Sequence, residues 1–234
     1  YRLANHRLSA NLLLGDNSAF SLSEIYNYTS QFLINAEFSW HKGQQWRHFS
    51  TDKKEAVLAG VFPSSLYSAE DKQGVEFALG GQYTTNSFSV FGLEYYFQSE
   101  GYSKKAWQDQ IDFIRLMGYR TGYDFLDRAF DNYKYLMASE ISNTSNRGML
   151  LSKHYFNTYF SLHNNDQSTL QPYTMINITD GSVLFGAHFI KPLQGKWAPL
   201  ELYSGAYSSL GSSESEFALF GETLSIYVGF KYYL

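Results

Sequence analysis

The last twelve residues, Thr223-Leu-Ser-Ile-Tyr-Val-Gly-Phe-Lys-Tyr-Tyr-Leu234, decide how the rest of the chain is read. Leu224, Ile226, Val228, Phe230, Tyr232 and Leu234 alternate with Thr223, Ser225, Tyr227, Gly229, Lys231 and Tyr233. Successive side chains of a strand point to opposite faces, so this period of two makes one apolar face and one mixed face. Only Tyr rings add apolar character to the second.

The same alternation recurs upstream. Between Tyr28 and His41, Phe32, Ile34, Ala36, Phe38 and Trp40 share one face, while Gln31, Asn35, Glu37 and Ser39 share the other. Similar runs occupy 2–15, 74–85, 87–98, 149–162, 168–179 and 198–208, and less clean ones 54–63 and 182–193. The reading is ten strands, several of them long enough for the about 9–11 tilted residues that cross a bilayer. An all-β fold follows, with 1–234 as a single domain.

Composition supports a chain that places many rings at a boundary. It has 20 Tyr, 19 Phe and 4 Trp in 234 residues, with 17% charged residues, a net charge of −4 and no Cys. Disulfides, thiolate metal sites and Cys nucleophiles are excluded. Without a run of Lys or Arg there is no phosphate-binding stripe, so no nucleic-acid partner is expected. The longest apolar run, Ala56 to Phe62, is far short of the about 20 residues of a transmembrane helix. The first residue is Tyr rather than Met, which leaves open a processed chain or part of a longer one.

Connections alternate between short turns (84–86, 164–167, 194–197) and longer polar links (209–221, 99–146), with the Asp180-Gly181 hairpin signal as an exception. Short turns on one side and long loops on the other are the arrangement of outer-membrane barrels. Inside 99–146, Trp107, Ile111, Ile114 and Met117 recur at helical spacing between a Ser103 N-cap and Gly118, and Leu126, Phe130, Tyr133 and Met137 do so again. Two short helices are expected there, with 128–141 as an alternative strand that would move the count toward 12. The loop is placed outside the cell, as a lid or as a docking surface for a protein partner.

The mixed face chooses between a soluble and a membrane barrel. It carries Gly, Tyr, Ser, Asn and Gln rather than a dense Lys and Glu exterior, which suits a hydrated lumen, and closing the sheet satisfies the backbone groups that lipid cannot. The expected lumen residues are Asn35, Glu37, Glu76, Glu94, Lys153, Tyr155, Asn157, Tyr159, Glu201, Tyr203, Tyr207, Tyr227 and Lys231. Phe32, Ile34, Phe38, Ile226 and Phe230 are expected to meet lipid. Trp40, Trp46, Trp197 and Tyr232 are expected to form a girdle at one interface, the periplasmic one.

The octet Tyr227 to Leu234 resembles the C-terminal signal of Gram-negative outer-membrane β-barrel proteins, matching at Tyr227, Gly229, Tyr232 and Leu234, although the family usually ends in Phe. The resemblance implies a transmembrane antiparallel up-and-down barrel, outer-membrane lipid around it, and recognition by the barrel-insertion machinery.

An enzyme ranks last among the functions weighed. His48-Phe49-Ser50 has the His and Ser spacing of lipid-acting barrel hydrolases but lies in a charged connection placed at the periplasmic end. His154 lacks a carboxylate placed to orient it, and Asp124, Asp127 and Asp131 fit a solvated helix face. No cofactor, metal or catalytic residue is expected. The inward Tyr side chains either fill a narrow interior or form a track for a polar solute. A passive channel or export port is the leading function, and a structural barrel anchoring an external loop is the alternative.

Overall fold

The computed structural model describes residues 2–3, 5–16, 18–68, 72–146, 149–220 and 223–233. Along the chain, β1 (Arg2–Leu3), β2 (His6–Leu13), β3 (Ala19–Asn27) and β4 (Phe32–Lys42) lead to β5 (His48–Phe49), helix α1 (Thr51–Leu58) and β6 (Tyr67–Ser68). β7 (Gln73–Thr84) and β8 (Val90–Gln98) precede helices α2 (Lys104–Leu116) and α3 (Asp124–Asn146). The last part holds β9 (His154–His163), β10 (Thr169–Asn177), β11 (Val183–Pro192), β12 (Leu200–Leu210), helix α4 (Glu216–Phe220) and β13 (Ser225–Tyr232). Apart from the β5–β6 pair, the strands form one 11-stranded sheet in the order β1-β2-β3-β4-β7-β8-β9-β10-β11-β12-β13, antiparallel throughout.

Register sorts the side chains into two continuous faces. Leu22, Phe38, Phe77 and Phe97 lie abreast on β3, β4, β7 and β8, and Ser23, Glu37, Ala78 and Tyr96 lie abreast on the other face. The apolar face stays exposed: Phe38 keeps 38% of its surface, Leu93 53% and Ile226 70%. The whole molecule exposes 14776 Å², against about 11,000 Å² for a globular chain of this size. The sheet therefore does not fold its apolar face inward. The polar face is concave, because Asn11, Ser21, Glu37, Glu76 and Tyr96 from five neighbouring strands line one cavity of about 190 Å³.

Buried apolar packing sits almost wholly beyond one end of the sheet. Val57, Leu66, Tyr67, Phe113, Met117, Tyr133 and Met137 form one cluster, and Trp46, Tyr102, Trp107, Ile111, Ile141 and Leu151 form a second. The β4–β7 link and the two-helix insertion thus make one unit, called the cap below. The amphipathic stripes read from sequence are its contact surfaces.

Several expectations need correction. Segment 54–63 is not a strand: residues 51–58 form α1, whose N-cap Ser50 accepts from the Lys53 N–H and whose Val57 packs on Phe113 and Met117. A short apolar run reads equally as strand or buried helix, and packing decided it. Residues 19–27, counted as a connection, are β3. Segment 128–141 is helical, and α3 is 23 residues long rather than short.

Loss of the strand at 54–63 reverses the direction assumed for β4, and the added β3 restores the assumed direction for β2. Links 28–31, 85–89, 164–168 and 193–199 share one rim, the turn rim. Links 14–18, 43–72, 99–153, 178–182 and 211–224 share the other, the loop rim. Trp40, at the end of β4, therefore lies at the loop rim, whereas Trp197 and Tyr232 lie at the turn rim. Trp46 belongs to no girdle, being 7% exposed in the cap core. His48 likewise sits on the loop rim, in the cap, and not on the opposite side.

The sheet's register runs from edge to edge. Among the described residues no pairing joins β1 or β2 to β13, and the sheet has eleven strands, inside the ten to twelve expected. Alternation specifies faces, but closure depends on tilt and stagger summed over all strands.

Candidate functional site

The candidate site is the concave wall together with the segments that fold over it at the loop rim. Of the expected lumen residues, Asn35, Glu37, Glu76, Glu94, Tyr155, Asn157, Tyr159, Glu201, Tyr203, Tyr207, Tyr227 and Lys231 share this face by strand register. Lys153 lies just before β9 and lines a second cavity, of about 330 Å³, between wall and cap with His48, Gln73, Glu100 and Tyr102. Of the family-like C-terminal positions, Tyr227, Gly229 and Tyr232 are on β13, with Gly229 on the concave face and Tyr232 opposite Leu200 on the other. Leu234 lies outside the described residues.

The Tyr rings of the wall lie sideways across neighbouring strands. A Cβ at Gly92 would overlap the Tyr159 ring, one at Gly205 the Tyr227 ring, and one at Gly229 the Tyr203 ring. Each glycine opens a recess that a ring from the adjacent strand occupies, an arrangement that covers the bare backbone and pins register. The hydroxyls then find partners along the wall: Tyr159 donates to Gln82 Oε1 at 3.1 Å and Tyr96 to Glu76 Oε2 at 3.1 Å, while Tyr227 Oη bonds the His188 ring. Such rings line the wall with phenol edges.

At the loop rim the wall is covered. Tyr155, wholly buried on β9, donates to Glu216 Oε2 at 2.6 Å, and Asn177 Nδ2 on β10 donates to the same oxygen at 2.8 Å. Glu216 Oε1 accepts the Leu151 N–H at 2.8 Å. The Glu216 N–H in turn donates to Asp180 Oδ2 at 2.7 Å, in the β10–β11 turn, whose other oxygen accepts from Ser182. Asn177 Nδ2 also reaches Ser152 Oγ at 2.8 Å. Burial pushes the Glu216 carboxyl above the usual range, and the donations from Leu151 and Tyr155 oppose that rise.

The β12–β13 link holds the cap as well as the wall. The Trp107 indole donates to the Glu214 carbonyl at 2.8 Å, and Arg115 of α2 pairs with the Glu214 carboxylate. Gln98, on the wall, donates to the carbonyls of Leu150 and Ser152. On the far side, Glu100 accepts from the Gln45 N–H and pairs with His41. In the cap core the Tyr67 hydroxyl donates to the buried Gln110 side chain at 2.8 Å, and burial raises Tyr67 far above its ordinary range and pushes Tyr102 up to about 12.

The residues named for chemistry have structural occupations. Ser50 caps α1, and the His48 ring receives the Trp46 indole N–H at 2.5 Å. His154 Nδ1 meets the Tyr95 hydroxyl at 2.7 Å. Asp127 accepts from Thr121, and Asp131 pairs with Arg120 and Lys134. Among the described residues no three His, Asp or Glu side chains gather as a metal site would require. Sequence reasoning missed Glu216, Asn177 and Ser152, because nothing in a Ser- and Glu-rich link marks one glutamate as buried.

No protein-family model matches the chain, and no curated protein matches it. Among solved structures it is similar to the beta domain of the Bordetella autotransporter Brka, at 13% identity and a TM-score of 0.30, over 100% of this chain and 86% of that one. At so low a likeness the fold is read from this chain's own register.

Proposed function

We propose that the chain is an outer-membrane β-barrel that acts as a passive channel or export port for a small polar solute or polymer, with the cap at its outer mouth. The observation that carries this reading is the pairing of an exposed apolar face with a concave polar one across the whole antiparallel sheet. A bilayer is the solvent in which that apolar face is favourable, and the unpaired backbone of β2 and β13 must then find strand partners, because lipid offers none. Closure of the sheet, whether β2 meets β13 or a further strand completes the ring, belongs to this proposal.

The orientation follows the usual arrangement of such barrels, short turns inward and long loops outward. The turn rim then faces the periplasm and the cap faces the exterior. Tyr227, Gly229 and Tyr232 on β13 would be read by the insertion machinery. Conductance of the refolded protein in a planar bilayer tests the channel: step-like currents are expected, if only after removal of cap residues 104–142.

The two buried clusters of the cap favour a second reading, in which the barrel is an anchor that presents the cap to a protein partner. A refolded, cap-deleted barrel that passes no ions would put this reading first.

A further inference from the structure

We infer that residues 211–220 of the β12–β13 link are a strap, pinned by Glu216, that holds the cap across the concave face at the loop rim, and that its release opens the mouth. This rests on the channel reading proposed above.

The geometry of the pin supports the inference. Glu216 is 4% exposed, and its carboxylate accepts from three donors that belong to separate parts of the chain: Leu151 of the cap's return, Tyr155 of β9 and Asn177 of β10. A buried carboxylate with donors on both oxygens is bound in one geometry, and removing one acceptor leaves buried donors without partners. On the same strap, two residues earlier, Glu214 is gripped by Trp107 and Arg115 of α2. Residues 214–216 thus face the wall with one side chain and the cap with another. Among the described side chains of helix α4, Phe217 is buried with its ring 6.2 Å from that of Tyr155, while Leu219 is 45% exposed. The described contacts of residues 214–216 are polar, and a segment held by few apolar contacts opens locally before the sheet does.

The wall beneath is what the strap hides. Tyr155 and Asn177 are fully buried, although they stand on the polar face of the sheet, and Ser152 just before β9 is nearly so. Around the cavity further along that face, Glu37, Glu76 and Tyr96 remain at least partly open.

Glu216→Gln tests the pin with little change of shape, because its amide nitrogen must face a donor where an acceptor stood. Tyr155→Phe, a milder change, removes one donor. Hydrogen exchange read by mass spectrometry and single-channel conductance are measured on the full chain in lipid for both variants, and β4 and β7 amides report that the sheet is intact. The expected result is exchange about tenfold faster in 149–152 and 211–220, from the loss of a hydrogen bond to a charged group, together with a higher open probability or conductance than wild type. Faster exchange at unchanged conductance, in a protein whose cap-deleted form conducts, overturns the strap as a gate while the channel stands. Unchanged exchange in both variants overturns the pin itself. A cap-deleted form that does not conduct overturns the channel and the gate together, and only that outcome does so.

Discussion

The Tyr155 hydroxyl, on the concave wall, donates at 2.6 Å to Glu216, which lies 61 residues further along the chain in the β12–β13 link. The same hydroxyl accepts the Ser152 N–H at 2.6 Å, so one phenol joins wall, cap return and strap. Tyr155→Phe should cost about 1.5–3 kcal/mol of local stability, the range for hydrogen bonds to charged groups. The loss should appear in 149–152 amide protection and leave the denaturation midpoint of the sheet in place. A matching fall in sheet stability would show instead that the network supports the whole fold.

Phe38 and Glu37 are neighbours in sequence and lie on opposite faces of β4. If the outer face meets lipid, Phe38→Arg should lower folded stability in liposomes by about 2–4 kcal/mol, the cost near the bilayer midplane, with Glu37→Arg much less harmful. Urea titration with heat-modifiable gel mobility measures both. Equal sensitivity would reverse the inside and outside of the sheet.

Gly229 leaves the recess that the Tyr203 ring occupies. Gly229→Ala should destabilise by about 1–3 kcal/mol through overpacking, and much of that loss should vanish in the background of Tyr203→Ala. A double-mutant cycle in urea reads the coupling, expected at about 0.5–3 kcal/mol for touching residues. Additive losses would mean the ring swings free of the recess at little cost.

In the α2–α3 connection, the Thr121 N–H and hydroxyl hold Asp127 below the usual carboxylate range, and Lys134 and Arg120 do the same for Asp131. A depressed carboxyl adds stability above its unfolded value and loses it as pH falls through the folded one. Both groups are exposed, so solvent screens the effect. Between pH 6 and pH 3, residues 119–131 should become protease-sensitive before the sheet opens, and Asp127→Asn with Asp131→Asn should show that sensitivity already at pH 6. Simultaneous opening of loop and sheet would deny these contacts a local role.

Faces were legible in the sequence because a period of two is local: Phe32, Ile34 and Phe38, or Ile226 and Phe230, fall on the apolar face whatever their partners. The helical stripe of Trp107, Ile111, Ile114 and Met117 was legible for the same reason, with Ser103 as its cap. Segment 54–63 misled because Ala56 to Phe62 is apolar without a clear period, and burial against Phe113 and Met117 selects the helix there. That one choice carried Trp40 to the wrong rim, since a strand lost reverses the direction of those before it, and the missed β3 affects only β2.

Sequence alone determined an antiparallel sheet with one apolar and one polar face, a helical insertion, and the absence of thiol chemistry, since each depends only on residue type and short spacing. Tertiary structure alone decided that the β4–β7 link and the insertion share one core, that Tyr rings seat over glycines of the next strand, and that Glu216 is buried against Tyr155 and Asn177. Those are contacts between residues far apart in the chain. The register of ten long strands brings them together, and no local pattern encodes which distant donor a buried carboxylate will meet.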